Sequence, residues 1–64
     1  MRVGIKICKN DEKMFNSYDE AMNYIEVFIS EIEALNISTD DIQINYYGQE
    51  MVCKETESFE TFKG

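Results

Sequence analysis

Residues Ser17 to Asn36 carry the longest apolar periodicity in this 64-residue chain, and any fold has to accommodate the helix they encode. Wound at about 100° per residue, Tyr18, Ala21, Met22, Ile25, Phe28, Ile29, Ile32 and Leu35 gather into one broad stripe that must be buried. Ser17 stands three residues before Glu20. At that spacing a Ser hydroxyl caps the third helical N–H and the Glu side chain reaches back in return. Asn36 tolerates the left-handed conformation that ends a helix, and Ile37 can fold back onto the last turn. At about 1.5 Å per residue the segment is about 30 Å long, enough to cross a small sheet.

The flanking segments supply strands for that stripe to cover. Arg2 to Lys9 alternate, with Val3, Ile5 and Ile7 on one face and Arg2, Gly4, Lys6 and Cys8 on the other, the pattern of a half-buried strand. Asn10-Asp11 offers turn chemistry, and Lys13-Met14-Phe15 can pair back as a short second strand. Beyond the helix, Ser38 to Asp41 is a polar connection, and Ile42 to Tyr47 alternates with Ile42, Ile44 and Tyr46 on one side. Gly48 permits the positive φ of a hairpin turn, after which Gln49 to Lys54 can return antiparallel. Residues 55–64 form an acidic tail with Phe59 and Phe62 three apart, which either docks both rings as a frayed helical turn or stays mobile.

One helix covers only one face of a small sheet. The expected fold is therefore an α+β two-layer sandwich, with one long helix on a three- or four-stranded, mainly antiparallel sheet in the order β(β)αββ. The open sheet face would carry Arg2, Lys6, Gln43, Asn45 and Tyr47. Residues 1–64 make a single small domain, and a core of this size yields only about 3–5 kcal/mol, so binding can add materially to stability.

Charge and composition then exclude whole classes of function. Thirteen acidic against six basic residues leave a net charge of -7, which disfavours direct nucleic-acid binding because phosphate contacts need Lys or Arg to release counterions. The same charge disfavours anionic membranes, and no apolar run approaches the roughly 20 residues of a membrane span. Met1 to Ile5 lead into Lys6 without the apolar core of a signal peptide, so the expected location is cytoplasmic. Cys8 and Cys53 are then expected as reduced thiols.

No catalytic or cofactor-binding arrangement emerges. There is no His, which removes Cys–His and Ser–His–Asp chemistry and the usual zinc sites. The three glycines are too scattered to cradle a phosphate, and Asp40-Asp41 lacks the alternating oxygen ligands of a calcium loop. Catalytic carboxylates need a cleft that separates their pKa values, and a chain this short has little room for one. The expectation is a non-enzymatic protein with no metal and no cofactor.

The arrangement of charge points to binding instead. The helical segment holds Asp19, Glu20, Glu26, Glu31 and Glu33 with no Lys or Arg, whereas helices usually interleave signs for i,i+4 pairing. Glu31 and Glu33 lie near the negative end of the helix dipole, where each costs a few tenths of a kcal/mol. Opposite the apolar stripe runs a line of small or apolar residues, Asn23, Val27, Ser30 and Ala34. Asp19, Glu26 and Glu33 follow one flank about 10.5 Å apart, and Glu20, Tyr24 and Glu31 follow the other. Tyr47, pointing away from the core, is a further candidate contact.

A partner fitting this surface presents basic groups around an apolar centre, as a nucleic-acid-binding protein does. In composition alone the chain resembles phage-encoded inhibitors of host defence, such as anti-CRISPR proteins and other DNA mimics. The competing expectation is a self-associating structural or accessory subunit that uses the open sheet face as a homodimer interface. In that case the acids serve solubility, and Val27 is one more exposed apolar residue of an ordinary kind.

Overall fold

The computed structural model describes residues 1–7 and 11–64. Its elements are β1 (Arg2–Ile7), β2 (Asp11–Phe15), α1 (Tyr18–Ala34), a 3-10 turn (Thr39–Asp41), β3 (Ile42–Tyr47), β4 (Cys53–Ser58) and α2 (Phe59–Lys63). The strands form one antiparallel sheet in the order β2-β1-β3-β4, with the helices packed on one face. The expected α+β two-layer arrangement is therefore what this chain adopts. Cys8, Lys9 and Asn10 lie outside the described residues, and with them the expectations for the end of the first strand and for an outward Cys8.

Helix α1 begins and ends as its caps dictate. Ser17 Oγ accepts the Glu20 N–H at 3.3 Å, while Glu20 Oε2 accepts from the Asn16 N–H at 3.1 Å. At the far end Asn36 takes φ 56°, the Ile37 N–H donates to the Ile32 carbonyl and the Asn36 N–H to the Glu33 carbonyl. That paired closure satisfies carbonyls the helix would otherwise leave open and brings Ile37 back against the core.

Two pairs of strand residues and two helices share the core. Val3, Ile5, Ile42 and Ile44 point up from the central strands, Ala21, Ile25 and Ile32 come down from α1, and Phe59 and Phe62 from α2. Helix α1 lies over β1 and β2, whereas α2 lies over β3 and β4. The apolar stripe of α1 is consequently buried only in its middle. Tyr18 is 39% exposed and Leu35 66%, because the first position sits at the rim and the last projects past the sheet. Tyr18 is still held, its ring 4.8 Å from Phe62 and its hydroxyl donating to the Phe62 carbonyl at 2.8 Å.

The second hairpin differs from its expected form. Gln49 to Lys54 is mostly loop, and the return strand is Cys53–Ser58. The Met51 N–H donates to the Gly48 carbonyl and the Gly48 N–H to the Val52 carbonyl, so a turn of three residues closes the hairpin. The positive φ falls on Met51, at 61°, and not on Gly48, because in such loops the left-handed residue follows the turn. Tyr46 faces Glu55 and Tyr47 faces Cys53, so Lys54 is the extra residue of a bulge. Beyond β4, Ser58 Oγ accepts the Thr61 N–H at 3.2 Å and starts α2, which docks both Phe rings.

Candidate functional site

The outer surface of α1 is where the sequence concentrates its acids, and the fold leaves that surface open. Asp19, Glu26, Glu31 and Glu33 are exposed, as are Asn23 and Ser30, and Val27 at the centre is 80% exposed. Among the described residues the one ion pair is Lys54–Glu50, at 3.8 Å on the β3–β4 loop, so none of the α1 acids is paired there. Helix α1 itself carries no Lys or Arg. Arg2 and Lys6 are on β1, whereas two lysines reach the edges of α1: Lys13 Nζ sits 4.4 Å over the ring of Tyr24, and Lys63 lines a cleft together with Glu33.

Two members of the expected rails have other roles. Glu20 is exposed, but its carboxylate holds the Asn16 N–H at the start of α1. Tyr24 turns inward to the rim of the core, its ring 5.0 Å from Phe15 and 5.5 Å from Phe28, instead of standing between Glu20 and Glu31 on the surface. Burial of an aromatic ring against two others outweighs presenting it to water.

Tyr47 lies on the opposite side of the molecule from the α1 acids, on the open sheet face. There its hydroxyl donates to Glu12 Oε2 at 2.6 Å, and the Asn45 amide donates to the same oxygen at 2.6 Å. Thr56 completes the chain by donating to Asn45 Oδ1 at 2.9 Å, so one network joins β2, β3 and β4 across β1. Asn45 is only 8% exposed beneath it. Gly4 makes the span possible: a Cβ there would stand 2.9 Å from the Tyr47 ring, 3.0 Å from Met14 Sδ and 3.2 Å from the Glu12 carboxyl carbon. A glycine inside an alternating strand was the sequence signal for this close approach, although nothing in the alternation singled out Glu12 or Thr56.

Two adjacent tyrosines thus face opposite layers and each donates to a glutamate. Tyr46 donates to Glu57 on the helix-covered side. Burial first, and then the hydrogen bond to Glu57, raise the Tyr46 hydroxyl well above its ordinary value. Tyr47 is raised as well, chiefly by burial and next by its bond to Glu12. Both phenols act as fixed donors at neutral pH.

Among the described residues no cluster of three or more His, Cys, Asp or Glu side chains is placed to hold a metal ion. Cys53 is an exposed free thiol. No helix is long and apolar enough to cross a membrane. No protein-family model, curated protein or solved structure matches the chain.

Proposed function

We propose that this chain is a small, acidic, non-enzymatic binding protein of the cytoplasm that occupies a basic surface of another protein, one that itself binds nucleic acid. Inhibitors of host defence of the anti-CRISPR or DNA-mimic kind work in this way. The observation that carries the reading is the outer face of α1, where Asp19, Glu26, Glu31 and Glu33 stand exposed, of one sign and unpaired among the described residues. Carboxylates on a rigid helix, about 10.5 Å apart along one rail, are pre-organised acceptors for Arg and Lys side chains that otherwise grip phosphates. Glu31 and Glu33 also sit where the helix dipole disfavours them, and no basic residue in the last turn offsets the cost. Binding gives that placement a reason that folding does not.

The test is capture of DNA- and RNA-binding proteins by the immobilised chain, with and without competing nucleic acid. Capture should weaken steeply from about 0.05 to about 0.5 M salt, as exposed charges become screened. It should be displaced by the competitor and lost in the Glu26→Lys/Glu33→Lys double variant. Capture indifferent to salt and to the double variant would sink the reading.

A further inference from the structure

Strand β4 is an edge of the sheet: it pairs with β3 on one side, and among the described residues no strand lies on the other. Every second residue of such a strand turns its N–H and C=O away from the sheet, which makes the edge a template for a further strand. Sheets blunt their edges with bulges, Pro and Lys. The bulge at Lys54 does so at the start of β4, but from Glu55 to Ser58 the register with β3 runs without interruption and contains neither Pro nor Lys. Along this stretch Glu55, Thr56 and Ser58 are exposed and Glu57 is half-buried.

The side chains select what can pair there. Glu55 stands opposite Tyr46 and Glu57 opposite Ile44, so both belong to the helix-covered side, while Thr56, opposite Asn45, belongs to the open side. Glu57 Oε1 accepts from Tyr46, and Glu55 makes no ion pair among the described residues. A second copy pairing antiparallel about a two-fold axis would set residues of like facing against one another. Centred on Thr56, it puts Glu55 against Glu57; centred on either glutamate, it puts that residue against its own copy. Like charges oppose in each case and disfavour self-pairing. We infer that β4 is the docking edge for an extended cationic segment of another protein, which adds to the four-stranded sheet as an antiparallel strand with Lys or Arg at alternate positions facing Glu55 and Glu57. Main-chain hydrogen bonds supply the affinity, and the alternating charges fix the register. Helix α1 lies over β1 and β2, so this contact goes beyond the acidic helix face and is separate from it.

The probe is a fluorescent peptide of alternating Lys and Thr, titrated by anisotropy into the whole chain beside two versions N-methylated at every Lys or at every Thr. Each methylated set blocks one edge of the peptide, so one version should bind about tenfold or more weaker while the other binds as the parent does. Loss in neither or in both overturns strand addition, as does a parent peptide that fails to bind at low salt. Amide hydrogen exchange should slow within residues 53–58 when the parent peptide is bound. Slowing on α1 instead overturns the β4 edge and supports the acidic helix face, which separates the two readings. Glu55→Lys, at an exposed site, should weaken the Lys peptide about tenfold. A peptide of alternating Glu and Thr that binds as tightly as the Lys peptide overturns the cationic occupant, and so does a dimer of the free chain that the peptide dissociates.

Discussion

The molecule has two outward faces, and both bear carboxylates, but they use them differently. On the open sheet face Glu12 takes hydrogen bonds from Tyr47 and Asn45 and so ties three strands together. On the outer face of α1, Asp19, Glu26, Glu31 and Glu33 contribute no bond to the fold among the described side-chain contacts. The contrast separates acids that build the protein from acids free to meet something else. It also explains why the sheet face is the weaker candidate for a partner: its central polar groups already have partners, and burying them elsewhere would gain little.

The largest effect expected from this division is at Glu12. Glu12→Ala leaves the buried Asn45 amide without its acceptor, while the more exposed Tyr47 hydroxyl can turn to water, and should cost about 1–3 kcal/mol in denaturant unfolding, a large share of what so small a core provides. Glu26→Ala should stay within about 0.5 kcal/mol of the parent. Equal losses at the two sites would break the comparison outright.

A second expectation concerns alkaline pH. The folded state holds Tyr46 and Tyr47 above the ordinary phenol value of 10.0, so the folded chain favours the protonated rings. Their contribution is complete below about pH 10 and declines as pH rises through the folded-state values. Thermal unfolding followed upward from about pH 9 should show stability falling, and Tyr46→Phe should flatten that fall more than a substitution on α1 does. A parent curve that stays level as the phenols ionise would contradict the assignment.

The smallest effect sharpens the comparison most. Replacing Glu31 and Glu33 with Lys puts favourable charge at the C-terminal end of α1, and should raise stability by a few tenths of a kcal/mol per site while weakening binding to a basic partner. Folding and binding would then move in opposite directions. Parallel losses in melting temperature and binding would show instead that these acids serve the fold.

Much of the architecture was legible because it follows from short-range rules. Period-2 alternation in β1 and β3, the Ser17–Glu20 spacing and the Asn36-Ile37 ending each state their own conformation, and the structure places them accordingly. The β4 boundary was not legible, since a loop of three residues with a bulge at Lys54 leaves no alternation to follow through Gln49–Lys54. Ser58, two residues after Thr56, marked the start of α2 by its capping chemistry, a signal overshadowed by the three glutamates of the tail. On the candidate site, the helical wheel located the exposed acids correctly, yet it assigned Tyr24 to the surface, while strand alternation placed Tyr47 on the open sheet face, where it lies far from those acids.

By itself, then, the sequence determined the strands β1 and β3 and the helix α1, which face of each is apolar, and that α1 carries acid of one sign. Those properties are periodic or local, and each can be read within a few turns or residues. Only the tertiary structure decided that α1 lies over β1 and β2 and α2 over β3 and β4, that Leu35 stays exposed, and that Glu12 is bound by Asn45 and Tyr47. Those outcomes join residues up to 44 positions apart, as in the Tyr18 bond to Phe62. They depend on strand order and on the length of the helix relative to the sheet, which no local pattern contains.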